Sequence, residues 1–135
     1  MAAVLMWLAL LLAVQQPAGR TIWEGVFTAD QAKRGDVLYQ GVCAGCHGTA
    51  LDGMDTAPAL AGGAFMAQWD GVTLADMADR IRVTMPINRP GTLGRQQVVD
   101  VLAYILRFNG VPPGNAELPP ESAPLREILF KATKP

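Results

Sequence analysis

Both cysteines and the single histidine of this chain fall within Cys43-Ala44-Gly45-Cys46-His47. Cys-x-x-Cys-His is the attachment signature of a c-type haem. The spacing follows from the chemistry: two thiols add across the two vinyl groups of the porphyrin. The imidazole that follows is thereby held against one face of the ring, where it binds the iron. Three other chemistries fit the motif less well. A zinc site usually takes four ligands, and only three cluster here. A thioredoxin-like Cys-x-x-Cys sits at the end of a strand in a βαβ pattern, and no strand run surrounds this one. A structural disulfide closing so short a loop adds little stability. The motif reads as one covalent haem c, anchored by Cys43 and Cys46 and ligated by His47.

The chain has 135 residues, enough for one domain. Half of them are hydrophobic, but many of these are Ala, and there are 14 Gly and 10 Pro. Few large side chains remain for a core, and a buried porphyrin would fill that gap. A formal charge of −1 provides no basic field for nucleic acid. Met1 to Val14 is apolar without one charge, shorter than the roughly 20 residues of a spanning helix. It fits the core of a secretory signal, so residues 1–18 are expected to be a signal peptide with cleavage before Gly19. No Lys or Arg precedes the run, and Gln16 is not small, so an uncleaved N-terminal membrane anchor stands as the alternative. In either case the expected location is outside the cytoplasm, in the periplasm.

The fold class is all-α: about four helices around the haem, with no sheet. Thr28 followed by Gln31 is a capping box, opening a helix to about Gln40 with Ala32, Gly35 and Tyr39 on one face. Gly35 costs that helix about 1 kcal/mol relative to Ala, which is either a tolerated weak spot or a close helix crossing. The haem motif is placed in a loop continuing through Gly63. Ala64 to Trp69 is a short helical turn. Thr73 with Asp76 caps a helix to about Thr84, with Leu74, Met77, Ala78 and Ile81 on one face. Pro86 disfavours the helical conformation at Met85, so a stiff loop runs from Met85 to Gly91. The clearest helix is Arg95 to Phe108, with Val98, Val101, Leu102, Ile105 and Leu106 on a wide apolar face. Asn109-Gly110 stops it. Residues 19–110 form the expected haem domain and 111–135 a Pro-rich tail, in which Leu125, Ile128 and Leu129 hint at a half-formed helix. That tail reads as a strap on the domain or as a docking element.

With no second His, a Met is the natural sixth ligand, and His/Met ligation raises the reduction potential of an electron-transfer haem. Met1 and Met6 lie in the targeting segment, Met54 follows His47 too closely, and Met66 and Met77 sit in helical core patterns. Met85 remains, 38 residues after His47 and at the head of the stiff loop. The metal ligands are therefore taken as His47 and Met85, with Met85 as a helix-end packing residue the alternative. Pro58 stands close enough after His47 for its carbonyl to accept the imidazole Nδ1–H and orient the ring, or it is simply a turn proline. Trp69, Arg82 and Arg89 are equally candidate propionate donors or surface residues.

These residues together resemble a bacterial class I cytochrome c. The resemblance runs from about Thr28 to Asn109, through Arg34-Gly35, Tyr39, the haem motif with Gly48, and Ala57-Pro58-Ala59-Leu60. It continues through Thr84-Met85-Pro86, Pro90-Gly91 and Asp100-Val101-Leu102-Ala103-Tyr104-Ile105. It implies His47 and Met85 as axial ligands, a Pro58 carbonyl bonded to His47, and a helix crossing at Gly35 and Tyr104. Gly94 departs from the pattern, since related chains tend to place a capping Ser there. The tail from Asn109 to Pro119 resembles those of cytochromes associated with periplasmic quinoprotein dehydrogenases. The implied role is a carrier of one electron between redox protein partners, a dehydrogenase donor and an oxidase or other cytochrome acceptor. It is not by itself an enzyme, and it touches a membrane only if the N-terminal segment is uncleaved. The alternatives are a cytochrome subunit fixed in a dehydrogenase complex and a haem-based ligand sensor.

Overall fold

A computed structural model describes residues 19–135. The expected signal peptide, residues 1–18, lies outside the described residues. Two long helices set the frame. Helix α1 (Ala29–Val42) and helix α5 (Arg95–Phe108) cross and form the main interhelical contact. Between them come α2 (Ala44–His47), α3 (Gly63–Trp69) and α4 (Leu74–Thr84), and α6 (Ser122–Arg126) lies in the tail.

The helix ends follow local chemistry. Thr28 Oγ1 accepts from the Gln31 amide at 3.1 Å, and Thr73 Oγ1 accepts from the Asp76 amide at 3.1 Å. Each satisfies a donor that the first turn leaves orphaned. The return half of the α1 capping box is missing, because the Gln31 side chain is buried and bonds the tail. Its Nε2 donates to the Leu118 carbonyl at 3.0 Å, and its Oε1 accepts the Leu118 amide at 2.8 Å. Gly94 has no side chain to cap α5, but its amide donates to Gln97 Oε1 at 2.9 Å. At the other end Gly110 adopts φ +84°, its amide donates to Arg107 and that of Val111 to Leu106. That is a Schellman closure, which needs the left-handed residue a Gly supplies.

The structure departs from the sequence reading in three places. The haem motif is not loop: α1 continues to Val42, and Ala44–His47 is itself a helical turn. There is also a strand pair. Strand β1 (Arg20–Thr21) pairs in parallel with β2 (Ile128–Leu129), a contact between the two ends of the described chain that no local pattern announces. Ile128 and Leu129 are thus extended, not helical. The core is also larger than Ala and Gly content suggested. Tyr39, Phe27, Phe130, Ile22, Leu51, Leu74, Leu102 and Leu106 are all fully buried. The tail contributes Leu118, Leu125, Ile128 and Phe130 to that core, so it straps the domain. Phe130 packs edge-to-face on Phe65 at 6.1 Å, and its amide donates to the Val72 carbonyl at 2.8 Å.

Candidate functional site

Helix α1 delivers the chain into α2, whose single turn carries the motif. Cys43 caps α1 with its amide donating to the Tyr39 carbonyl, and the Cys46 and His47 amides both donate to the Cys43 carbonyl. Residues three apart on a helical turn share a face, so the two cysteines stand side by side. Both are free thiols; Cys43 is half-buried and Cys46 exposed. Burial, and secondarily the neighbouring Cys46, pushes the Cys43 thiol up to about 11.

His47 is buried at 8% exposure. Its Nδ1 lies 2.8 Å from the Pro58 carbonyl oxygen. A carbonyl can only accept, so the proton sits on Nδ1 and Nε2 is left with its lone pair free. Such a bond fixes the ring and raises its basicity toward a metal. Pro58 thus has the role that the family resemblance implied.

The loop that presents Pro58 is braced on both sides. The Leu60 amide donates to the Leu51 carbonyl at 2.8 Å, and the Gly53 amide to the His47 carbonyl at 2.8 Å. A Cβ on Gly53 would lie 2.7 Å from the Ala59 nitrogen, so the two limbs of the loop touch through backbone. Tyr39, fully buried, donates its hydroxyl to the Gly48 carbonyl at 2.8 Å, and burial holds its pKa above the ordinary phenol range. Asn109 closes the far side. Its Nδ2 donates to the Leu60 and Ile105 carbonyls, at 3.0 and 2.8 Å, and its Oδ1 accepts the Gly62 amide at 3.0 Å. The sequence marks Asn109 only as a helix stop; nothing in it reveals this clamp.

Met85 caps α4 in an extended conformation, φ −115° and ψ 151°, and is half-buried. The restriction that Pro86 imposes on its predecessor accounts for that conformation. Met66 and Met77 are buried at 8% and 3% exposure, while Met54 is exposed on its loop. Among the propionate candidates, Arg82 lies in a crevice with Asp79, Arg95, Val98 and Leu125, with Nε buried and without a hydrogen-bond partner. Arg89 is exposed, and Trp69 packs half-buried against the core.

The residues fit a covalent haem c. Two free thiols share a helical face, and a fixed imidazole beside them keeps Nε2 available. No cluster of three or more His, Cys, Asp or Glu among the described residues offers a protein-only metal site instead.

The family model described as cytochrome c oxidase, cbb3-type, subunit III, matches residues 30–105. Among solved structures, the sulfane dehydrogenase SoxCD from Paracoccus pantotrophus contains a chain 25% identical in sequence, with a TM-score of 0.51. The match covers 69% of this chain and 55% of that one, so this chain spans about half the length of its structural relative. No curated protein sequence matches.

Proposed function

This chain belongs to the family of cytochrome c oxidase, cbb3-type, subunit III, and is a class I c-type cytochrome; from that premise we propose that it carries one electron on a His/Met-ligated covalent haem c. The observation that carries the reading is the His47 Nδ1–H to Pro58 carbonyl bond at 2.8 Å, set beside the free Cys43 and Cys46 thiols. When bound, a haem c supplies a one-electron iron couple. Cys43 and Cys46 would anchor it by thioether bonds, His47 would offer Nε2 to the iron, and Met85 would supply a thioether sulfur as the second ligand. Burial of His47, its bond to Pro58 and the bracing of its loop by Tyr39 and Asn109 fix the orientation of the imidazole. The partners are redox proteins met transiently, in encounters that typically bury under about 1,200 Å². The location is the periplasm, a reading supported by the apolar N-terminal run.

Likeness to a chain of a dehydrogenase favours a second reading, in which the same domain is the cytochrome subunit of a dehydrogenase complex. Purification of the native protein separates the two: a carrier elutes alone, a subunit with its dehydrogenase. The haem claim is tested by denaturing electrophoresis with peroxidase staining, where colour travels with the chain. Extraction of the haem by acidified organic solvent would refute covalent attachment. A ferrous protein that binds carbon monoxide readily would point to a ligand sensor and remove the carrier.

A further inference from the structure

Asn109-Gly110 is the one Asn-Gly pair in the chain, and its place at the end of α5 leaves its own chemistry unused. An asparagine followed by glycine is prone to deamidate, because a glycine amide meets no side chain on its way to the carboxamide carbon. The Gly110 nitrogen attacks Cγ of Asn109, a C–N bond forms, and Nδ2 leaves as ammonia. The five-membered imide takes up one water and opens to aspartate or isoaspartate. No oxidant, reductant or metal enters the reaction.

The fold opposes each requirement of that attack. Asn109 has ψ 11°, so the Gly110 nitrogen eclipses the Asn109 backbone nitrogen instead of its Cβ, and the reacting atoms are turned apart. The Gly110 amide donates to the Arg107 carbonyl at 2.9 Å, which retains the hydrogen that the nucleophile must lose. The carboxamide is held at both ends, by the Leu60 and Ile105 carbonyls and by the Gly62 amide. Ring closure therefore waits for a local opening that releases Asn109. Two Asp-Gly pairs, Asp52-Gly53 and Asp70-Gly71, could cyclise by the same route with loss of water. Their glycine amides are likewise engaged, with the His47 and Phe130 carbonyls at 2.8 Å each, and their products keep the parent mass.

We propose that Asn109-Gly110 is a self-modification site gated by the clamp on the Pro58 loop: the chain deamidates there while the Leu60–Gly62 segment is released, and the product opposes its return. Aspartate at position 109 can still accept from the Gly62 amide, but it has no hydrogen to give the Leu60 and Ile105 carbonyls. Isoaspartate lengthens the backbone by one carbon inside the Schellman closure. Leu60 stands two residues past Pro58, whose carbonyl holds His47, so the modification marks chains whose haem-motif loop has stood open. This claim goes beyond the electron-carrier reading and does not rest on it, since its readouts are a mass and a stability.

The test incubates the full holoprotein at pH 8, in buffer and in concentrated guanidinium chloride, and then cleaves it after arginine. Asn109 and Asn115 leave together in the peptide from Phe108 to Arg126, and fragment masses report replacement of NH2 by OH at each one separately. Asn115, exposed and followed by Ala, is the internal reference. Asn109 should deamidate at least about tenfold more slowly in buffer than in denaturant, as a group released only by local opening, while Asn115 changes far less. Asn109→Asp, which reproduces one product, should unfold at lower urea than the parent. Equal Asn109 rates in the two solutions would overturn the gate, and no reaction in denaturant would overturn the site. An Asn109→Asp protein as stable as the parent would overturn the claim that the product opposes closure.

Discussion

A Cβ built on Gly35 would lie 1.8 Å from the Asp100 carbonyl oxygen and 2.9 Å from Tyr104 Cβ. Helices α1 and α5 therefore meet backbone to backbone at this point, and no side chain fits between them. The contact at 1.8 Å is with a carbonyl fixed inside a helix, which cannot rotate away.

Gly35→Ala should consequently destabilise the protein by about 1–3 kcal/mol, the usual range for overpacking, despite the better helix propensity of Ala. The ion pair at the same crossing matters less. Arg34 bonds Asp100 through Nε and Nη2, at 3.1 and 3.2 Å, but its side chain is 47% exposed. Arg34→Met should cost about 1 kcal/mol or less, since Gln96 still donates to Asp100. Urea titration of the two variants compares them directly, and a larger loss for Arg34→Met would mean that the crossing is held by charge.

Tyr39→Phe removes the hydroxyl bonded to the Gly48 carbonyl and should cost about 0.5–1.5 kcal/mol at pH 8. Its pH dependence has a definite sign. Burial raises the Tyr39 pKa in the folded state above the value of about 10 in the unfolded chain. Folding then holds the proton more tightly, so this stability is complete below about pH 10 and is lost as pH rises further. The parent should lose stability above pH 10 faster than Tyr39→Phe. Tyr104, raised chiefly by burial and next by Asp36, keeps part of the dependence in both proteins. Equal slopes in urea midpoints between pH 9 and 11 would contradict the burial argument.

Asn109→Ala breaks three side-chain hydrogen bonds, two of which tie the Leu60–Gly62 segment to the end of α5 while the third caps the helix itself. A loss of about 0.5–1.5 kcal/mol is expected, the usual net worth of a hydrogen bond whose groups remain partly open to water. The sharper readout is local: hydrogen exchange at the Gly62 amide should accelerate far more than exchange in the middle of α5. Uniform acceleration would show that Asn109 supports global folding only.

Met85→Ala should lower the reduction potential, abolish the far-red sulfur-to-iron band and open the ferrous iron to carbon monoxide. Met77, buried at 3% exposure on α4, is the control. Met77→Leu conserves volume, should cost under about 1.5 kcal/mol and should leave all three signals unchanged. Reversal of the two spectra would reassign the ligand.

Phe130→Ala should cost about 3–5 kcal/mol, as for other large aromatics removed from cores. A substitution this near the C-terminus would be silent in a loose tail, so a thermal midpoint equal to the parent's would show that the strap is detached in solution.

What the sequence determined by itself was local. The haem motif is covalent spacing within five residues, and the caps at Thr28 and Thr73, the stop at Gly110 and the extension at Met85 each depend on neighbours a few positions away. Helix α5 was legible to the residue, because an apolar face at helical spacing and a Gly stop agree. The Pro58 contact to His47 spans eleven positions; the residues alone left it level with an ordinary turn proline, and the family resemblance favoured it. The tertiary structure decided what lies between distant segments: the parallel pairing of Arg20–Thr21 with Ile128–Leu129, the Gln31 amide bonded to Leu118, the clamp at Asn109 and the burial of Phe130. Each joins groups about 50 to 110 residues apart, or depends on such a contact. No local pattern encodes them, because a side chain amide or a two-residue strand gains its partner only when the whole chain has closed around the same core. Even the haem motif shows the division: its chemistry is written in five residues, and its helical conformation is inherited from α1, which the contact with α5 holds in place.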